Sequence, residues 1–537
     1  MLKKLLALLL CLCCTLSLPV YAEEEEIEIL LDEDSITVDG SPISEDTSEA
    51  VHLIYQTETH EDVPPELAEL KNRVVTITDA GTYRFNGFAS DIQIAVRAEE
   101  TDKVRIILDG IEISCRTAPA IVGYSAHDPR VAGEYGLTIE LAEGSDNLVV
   151  GSHTKKLHED DVKLDGAIDS LVSLGFEGTG SLTVDADNEG VEVKFGHMTI
   201  NGGVFHINSC DDPLNVSEDG VGTLTVNDGY LFSSIKPVEG GEGDGIDSNG
   251  YIVFNGGVAI NLAHPTSQDS GIDSDMGSSI NGGLIVGAGN MYDPIEADSD
   301  QLFMMLEFGQ ATNDLVVVTR QDGTPVFAYD FPYDYMYIAF STPELTEGIY
   351  HVYLGGDIEG EQEDGLYTSI ESYTPGTLMQ HGEGNAQQRG GMMAPGQGGE
   401  MPMMPEGGMN PGQQVMPGMN GMTDNRAAYA EALASLDLNE LLKDADLDEL
   451  LSGADLNKLL TGFSLTDLLT EEQIKEHFGD LDISRFDSFG AMGDMRGGFG
   501  GGFGGMRGLE SSSDIATTDF FLTRSNTGFT NIVAADK

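Results

Sequence analysis

The sequence predicts an all-β fold: a right-handed parallel β-helix with a small C-terminal antiparallel β cap and a low-complexity, short-helix insertion. Three observations predict it. An apolar column recurs at Ile121, Ile168, Val191, Leu214, Ile246, Ile272 and Ile295, in steps of 47, 23, 23, 32, 26 and 23 residues. Glycine-marked corners interleave with that column at Asn201-Gly202-Gly203, Asn227-Asp228-Gly229, Asn255-Gly256-Gly257 and Asn281-Gly282-Gly283. Short β-branched strands flank the corners, as in Met198-Thr199-Ile200 and Val204-Phe205-His206-Ile207. A unit of about 23 residues with short strands and glycine corners suits one coil of a solenoid. A β-sandwich has no reason to hold one spacing so long, and no Leu-x-x-Leu-x-Leu frame is present.

Taken in chain order, residues 1–22 read as a signal peptide. Lys3 and Lys4 precede the apolar run from Leu5 to Leu18, and Val20-Tyr21-Ala22 offers small residues for cleavage before Glu23. Export outside the cell is the resulting expectation. Residues 23–50 form an acidic N-terminal segment. Residues 51–300 are the expected β-helix, whose column should stack as an aliphatic ladder and whose corner asparagines should stack as an amide ladder. The 47-residue step reads as two turns, and longer single steps as turns with inserted loops. Asp109-Gly110 reads as an earlier corner, four steps before Asn201-Gly202. By that count Cys115 and Cys210 lie four turns apart, about 19 Å at the strand spacing, too far for a disulfide.

Residues 301–378 lose the repeat. Leu315-Val316-Val317-Val318, Met336-Tyr337-Ile338-Ala339-Phe340 and Tyr350-His351-Val352-Tyr353-Leu354 predict antiparallel strands that cap exposed edges. Residues 379–510 read as an insertion. It opens rich in Gly, Met, Pro and Gln, then carries a nine-residue unit starting at Asp437, Asp446, Asp455 and Ser464, each start an N-cap. These short helical turns, within 425–480, could also receive a protein partner. In 511–537, Asp519-Phe520-Phe521-Leu522-Thr523 predicts a last strand returning to the cap.

The charge narrows function. Lys and Arg number 26 against 92 Asp and Glu, a net charge of −66. Such a chain repels nucleic acid and anionic membrane, and attracts cations. No stretch after the signal peptide is long and apolar enough for membrane insertion as a helix. The acids repeat with the column, in Asp165-Gly166-Ala167-Ile168-Asp169, Asn188-Glu189-Gly190-Val191-Glu192, Asp211-Asp212-Pro213-Leu214-Asn215, Gly243-Asp244-Gly245-Ile246-Asp247, Asp269-Ser270-Gly271-Ile272-Asp273 and Tyr292-Asp293-Pro294-Ile295-Glu296. Stacked coils pile carboxylate over carboxylate about 4.8 Å apart, and a calcium ion takes six to eight such oxygens. One group comprises Asp187, Asn188, Asp211, Asp212 and Asn215, with Asp165, Asp169, Glu189 and Glu192 beneath or beside it. A second comprises Asp244, Asp247, Asp269, Asp273 and Asp275, with Asp293, Glu296 and Asp298 above. The expected ligands of Ca²⁺ are Asp165, Asp169, Asp187, Asn188, Asp211, Asp212, Asn215, Asp244, Asp247, Asp269, Asp273, Asp275, Asp293 and Glu296. A solvated acidic face is the plainer alternative.

The segment Val75-Thr76-Ile77-Thr78-Asp79-Ala80-Gly81-Thr82-Tyr83, the strand Val104-Arg105-Ile106-Ile107-Leu108-Asp109-Gly110, the Asp-Gly-Ile columns, the Asn-Gly-Gly corners and Gly365-Leu366-Tyr367 resemble a family of secreted bacterial carbohydrate-binding β-helix proteins. The resemblance spans roughly residues 36–375. It implies calcium on the β-helix, binding of cellulose or polygalacturonate-type polysaccharide, and a fold related to pectate lyases. The loop at 41–72, proline at 213 and 294, and the chain after 378 depart from the family pattern.

Non-catalytic, calcium-dependent binding of an acidic or plant-cell-wall polysaccharide is therefore the leading expectation. A polyanion can approach this chain only where a cation reverses its charge. With no tryptophan in the chain, sugar stacking falls to tyrosines, with Tyr124, Tyr230 and Tyr251 as candidates. A calcium-dependent lyase is the second reading. It needs a base beside the metal, and Lys163, Lys194 and Lys236 are the nearest lysines, each equally explained by a surface salt bridge. The histidines lack zinc spacing. A surface adhesin or structural protein is the third reading.

Overall fold

The structure, a computed structural model, describes residues 26–45, 50–56, 66–153, 163–296, 299–381, 518–523 and 530–534. The proposed signal peptide and the short-helix insertion lie outside the described residues. Two compact units are delimited, one of residues 1–389 and 514–537, the other 390–513. All described residues belong to the first, which is all-β, with no helix among them.

Its organising feature is three columns of parallel strands that the chain visits in rotation. The first runs through Leu137–Leu141, Leu174–Gly178, His197–Ile200, Thr223–Val226, Tyr251–Phe254 and Gly277–Ile280. The second runs through Asp146–Gly151, Ser181–Ala186, Val204–Ser209, Tyr230–Ile235, Val258–Leu262 and Leu284–Gly289. The third runs through Asn72–Ile77, Ile92–Arg97, Ile121–Ser125, Gly166–Ser170, Glu189–Val193, Leu214–Val216, Asp247–Ser248 and Asp273–Ser274. Successive strands of a column pair in parallel and in register, so like residues stack. On the first column Tyr83, Ile106, Ile139, Phe176, Ile200, Val226, Phe254 and Ile280 form one file. Each is at most 1 % exposed. On the third, Ile94, Ile121, Ile168, Val191 and Leu214 align. Ile246, Ile272 and Ile295 are buried in the same core. Burial of this apolar file is the main driving force for stacking.

The corner between the first and second columns is closed by side-chain amides. Asn227 donates through Nδ2 to Asn201 Oδ1 at 2.7 Å, Asn255 to Asn227 at 2.8 Å and Asn281 to Asn255 at 2.9 Å. Asn201 ends the ladder on the Tyr135 hydroxyl at 2.7 Å. At Gly257, φ is +73° and an added Cβ would lie 2.6 Å from the Gly229 carbonyl oxygen, so only glycine turns this corner without strain.

Strand pairing corrects the coil count. Ile121 pairs directly with Ile168, so the 47-residue step is one coil and not two. Its extra residues fall between Ser125 and Leu137 and between Gly151 and Gly166. Asp109-Gly110 is consequently three steps before Asn201. Cys115 and Cys210 are three coils apart, about 14 Å at the strand spacing, and both are free thiols. The count failed because two inserted loops happen to total one coil length.

The third column begins at Asn72 rather than at residue 51. Val51–Gln56 pairs antiparallel with Asn72–Ile77. The acidic N-terminal segment is itself structured: Glu26–Leu31 pairs in parallel with Gly81–Ala89 and antiparallel with Ile36–Val38, covering the edge of the first column. At the other end the pattern turns antiparallel. Tyr335–Ser341 pairs with both Leu284–Gly289 and Phe303–Thr312. Val316–Arg320 pairs with Pro325–Tyr329 and with Gly348–Glu363, and Gly348–Glu363 forms a long hairpin with Leu366–His381. Phe520–Leu522 returns beside Gly348–Tyr350, and Thr530–Ala534 lies between Phe303–Thr312 and Leu366–His381. An aromatic core joins this end to the columns, with Phe327 and Phe340 stacked at 3.9 Å.

Candidate functional site: stacked carboxylates on the third column

The third column carries the acids because the motif repeats acid, small residue, apolar residue, acid around each strand. Register places Asp169 beside Glu192, Glu192 beside Asn215, Asn215 beside Asp247, and Asp247 beside Asp273. The acids that open each motif are tied to the backbone of an adjoining coil. Asp244 N–H donates to Asp212 Oδ1 at 2.7 Å, Gly243 N–H to Asp269 Oδ2 at 2.8 Å and Ser274 N–H to Asp293 Oδ2 at 3.1 Å. Ser270 N–H donates to Asp244 Oδ1.

Two groups of carboxylates converge. In the first, one oxygen each from Asp165, Glu189 and Glu192 lie within 4.8 Å of one another. Asp169 is 1 % exposed, Glu189 8 % and Glu192 1 %. Asp169 Oδ2 accepts the Asp165 N–H at 2.9 Å. Asp169 Oδ1, Glu189 Oε2 and Glu192 Oε2 are buried with no hydrogen-bond partner. Asn215 donates to Glu189 Oε1 at 3.2 Å and to Asp212 Oδ2 at 3.3 Å. A cation is already present: Lys194 Nζ is 2.9 Å from Asp165 Oδ2 and also contacts Glu192 Oε1. Lys194 is thus held in a largely buried ion pair and not an exposed one. Burial pulls its pKa down, but the surrounding carboxylates, Glu192 foremost, outweigh that and hold it protonated. Burial first, then Glu192 repulsion, pushes Asp169 and Glu189 well above the ordinary carboxylate range.

In the second group, one oxygen each from Asp244, Asp247 and Asp273 lie within 4.8 Å of one another. Here no lysine intervenes among the described ion pairs. Burial and then repulsion by Asp273 raise Asp244 to about 8 and Asp247 to about 7. Asp293 rises to about 7 for the same two reasons. Three convergent, partly buried hard-oxygen donors are a donor set that suits calcium. The first group fits a metal less well, since an ammonium already sits among its oxygens.

The other expected ligands are placed as follows. Asp212 is buried and bridges the two groups; burial and then Asp211 push it well above its usual range. Asp211 is half-buried, and Asn188 Nδ2 donates to the Asp165 carbonyl at 3.4 Å. Asp187 turns away from the column: it accepts from the His153 N–H at 3.0 Å and from the Ser152 hydroxyl. Asp275 and Glu296 are exposed. Asp298 lies outside the described residues. The role of Lys194 was missed because it enters from the strand after Glu192 and reaches back 29 residues to Asp165.

Of the tyrosines expected to stack sugars, Tyr124 is covered by the Arg97 guanidinium, 3.6 Å from its ring centre. Tyr230 donates its hydroxyl to Asp364 at 2.8 Å and packs beside His206. Tyr251 remains 41 % exposed.

Comparison with known proteins agrees in broad class. A family model described as carbohydrate-binding domain-containing protein matches residues 71–301. A protein of Acetivibrio thermocellus with the same description is 30 % identical over 136 residues, 25 % of this chain. The match covers 44 % of that relative, less than half its length. A solved structure of a polysaccharide lyase-like protein from C. thermocellum, a gadolinium derivative, aligns over 48 % of this chain and 90 % of its own, at 21 % identity and a TM-score of 0.35.

Proposed function

We propose that this chain is a non-catalytic, calcium-dependent binder of an acidic or plant-cell-wall polysaccharide, of polygalacturonate type, acting outside the cell. We further propose that its three parallel columns wind as a right-handed β-helix. The observation that carries the functional reading is the convergence of Asp244, Asp247 and Asp273, an oxygen-only group with no counter-ion among the described residues. The match of residues 71–301 to a carbohydrate-binding family supports the substrate class.

Calcium held there would supply a local positive charge on a chain of net charge −66, and so a contact for uronate carboxylates. The column's own residues do the rest. The file Ile246, Ile272 and Ile295 fixes the backbone beneath the acids, and the N–H groups of Ser270 and Ser274 orient the carboxylates of Asp244 and Asp293.

Two of the three candidate lysines favour binding over β-elimination. Lys194 is engaged by Asp165 and Glu192. Lys236 Nζ is held by Asp185 Oδ1 and the Ala186 carbonyl, both at 2.6 Å. Neither is poised as a base.

The test is retention on immobilised polygalacturonate with Ca²⁺ or with chelator, beside calorimetric titration of Ca²⁺ alone. Retention should need Ca²⁺, and Asp247→Asn should lose both Ca²⁺ binding and retention. Retention that chelator leaves unchanged would overturn the reading.

A further inference from the structure

Beside the second acidic group, where the third column ends, a shallow cleft is lined by Gly271, Ile272, Met291, Tyr292, Asp293 and Tyr337. Tyr292 and Met291 stand 38 % and 42 % exposed, large apolar surfaces beside Asp293. The rings of Tyr292 and Tyr337 sit 5.1 Å apart, centre to centre, at 54°, a tilted pair in contact beside the cleft. Tyr337 is anchored, its hydroxyl donating to Glu307 Oε1 at 3.3 Å. The residue after Tyr292 is Asp293, which adjoins Asp273 of the carboxylate group and receives the Ser274 N–H. One continuous surface therefore carries an aromatic wall and then a file of carboxylates.

That pairing has a chemical meaning. A pyranose ring has an apolar C–H face that packs on an aromatic ring and an equatorial rim of polar groups that needs partners alongside. A chain without tryptophan must use another aromatic ring for the first task, and the one at the edge of the acidic group is Tyr292. The other tyrosines considered above are blocked at Tyr124 by Arg97 and occupied at Tyr230 by Asp364. Tyr251 is exposed, but its register neighbours are Thr223 and Gly277, so it has no aromatic neighbour in register on its own sheet.

We propose that Tyr292 and Tyr337 form the stacking platform for one uronate ring of an acidic polysaccharide, oriented with its carboxylate toward a calcium ion held by Asp244, Asp247 and Asp273. The proposal rests on the calcium-bridged binding above and adds the subsite that sets sugar geometry. Ring recognition and charge recognition are then separate, neighbouring parts of one surface.

The test uses the full chain with oligogalacturonate as probe, and Ca²⁺ alone as control. Tyr292→Ala should weaken oligomer binding about tenfold, the scale of one lost aromatic contact, and leave Ca²⁺ affinity and the circular dichroism spectrum unchanged. Tyr292→Phe should keep affinity within about twofold, since stacking needs the ring and not the hydroxyl. Tyr251→Ala should bind as the wild type does. A 3-fluorotyrosine at position 292 gives a readout that removes no packing: its ¹⁹F resonance should shift on adding oligomer with Ca²⁺ and stay still with Ca²⁺ alone. Wild-type binding matched by Tyr292→Ala, or a silent ¹⁹F label at saturating oligomer, overturns the platform and leaves the calcium-dependent function standing. A wild type that ignores oligogalacturonate in Ca²⁺ removes both.

Discussion

The ammonium of Lys194 lies among Asp165, Glu189 and Glu192 with only 11 % of its side chain exposed. Removing one partner of a buried pair leaves the opposite charges uncompensated. Lys194→Met should therefore destabilise the fold by about 3–5 kcal/mol, read as a lower urea midpoint at unchanged slope. The second acidic group behaves differently because nothing inside it is positive. In an unfolded chain these acids ionise near pH 4, whereas Asp247 and Asp293 hold protons to about pH 7 and Asp244 to about 8. The folded state binds more protons throughout that interval, so metal-free stability falls as pH rises from about 4 to about 8 and levels off above. Thermal midpoints in chelator should be lower at pH 8 than at pH 5. Millimolar Ca²⁺ should recover most of the difference at pH 8, and Asp247→Asn should blunt both effects.

A strand of four residues is too short to be stable alone, so each column depends on neighbours in register. The corner ladder fixes that register on one edge. Asn255 both donates to Asn227 and accepts from Asn281, and Asn255→Ala should cost about 0.5–1.5 kcal/mol. Gly257→Ala should cost more, since it combines a positive φ with a backbone contact at 2.6 Å; paired denaturation curves give the comparison. These elements were legible in the sequence because a repeating turn leaves identical residues at identical offsets. The apolar file and the asparagine ladder follow from that alone. The coil from Ile121 to Ile168 was misread because its insertions mimic a coil in length, and length carries no pairing information. The Lys194 contact and the Tyr292–Tyr337 pair were hidden for another reason: both join residues from different coils or from the cap, and no periodicity links them.

At the level of the whole described unit, the ends differ from the middle. Parallel strands leave open edges that invite association. Glu26–Leu31 and Val51–Gln56 cover one end, and Tyr335–Ser341 covers the other. The C-terminal residues complete that cover: Phe520 and Leu522 are 2 % and 3 % exposed, and Ile532 is buried between strands of the cap. A chain ending at residue 513 should expose Gly348–Tyr350 and Met379–His381 as free edges. It should elute as larger species on size-exclusion chromatography, while the full chain elutes as a single smaller one.

The amide ladder has a consequence for how such a molecule can change over time. Each rung meets only the rung before and after it, and the glycines behind it repeat the same bend. Excising the stretch from one asparagine to the next would bring two equivalent surfaces together and leave both ends intact. Size, and with it the number of acidic steps along the third column, is therefore a quantity that gene duplication or deletion can adjust one strand triplet at a time.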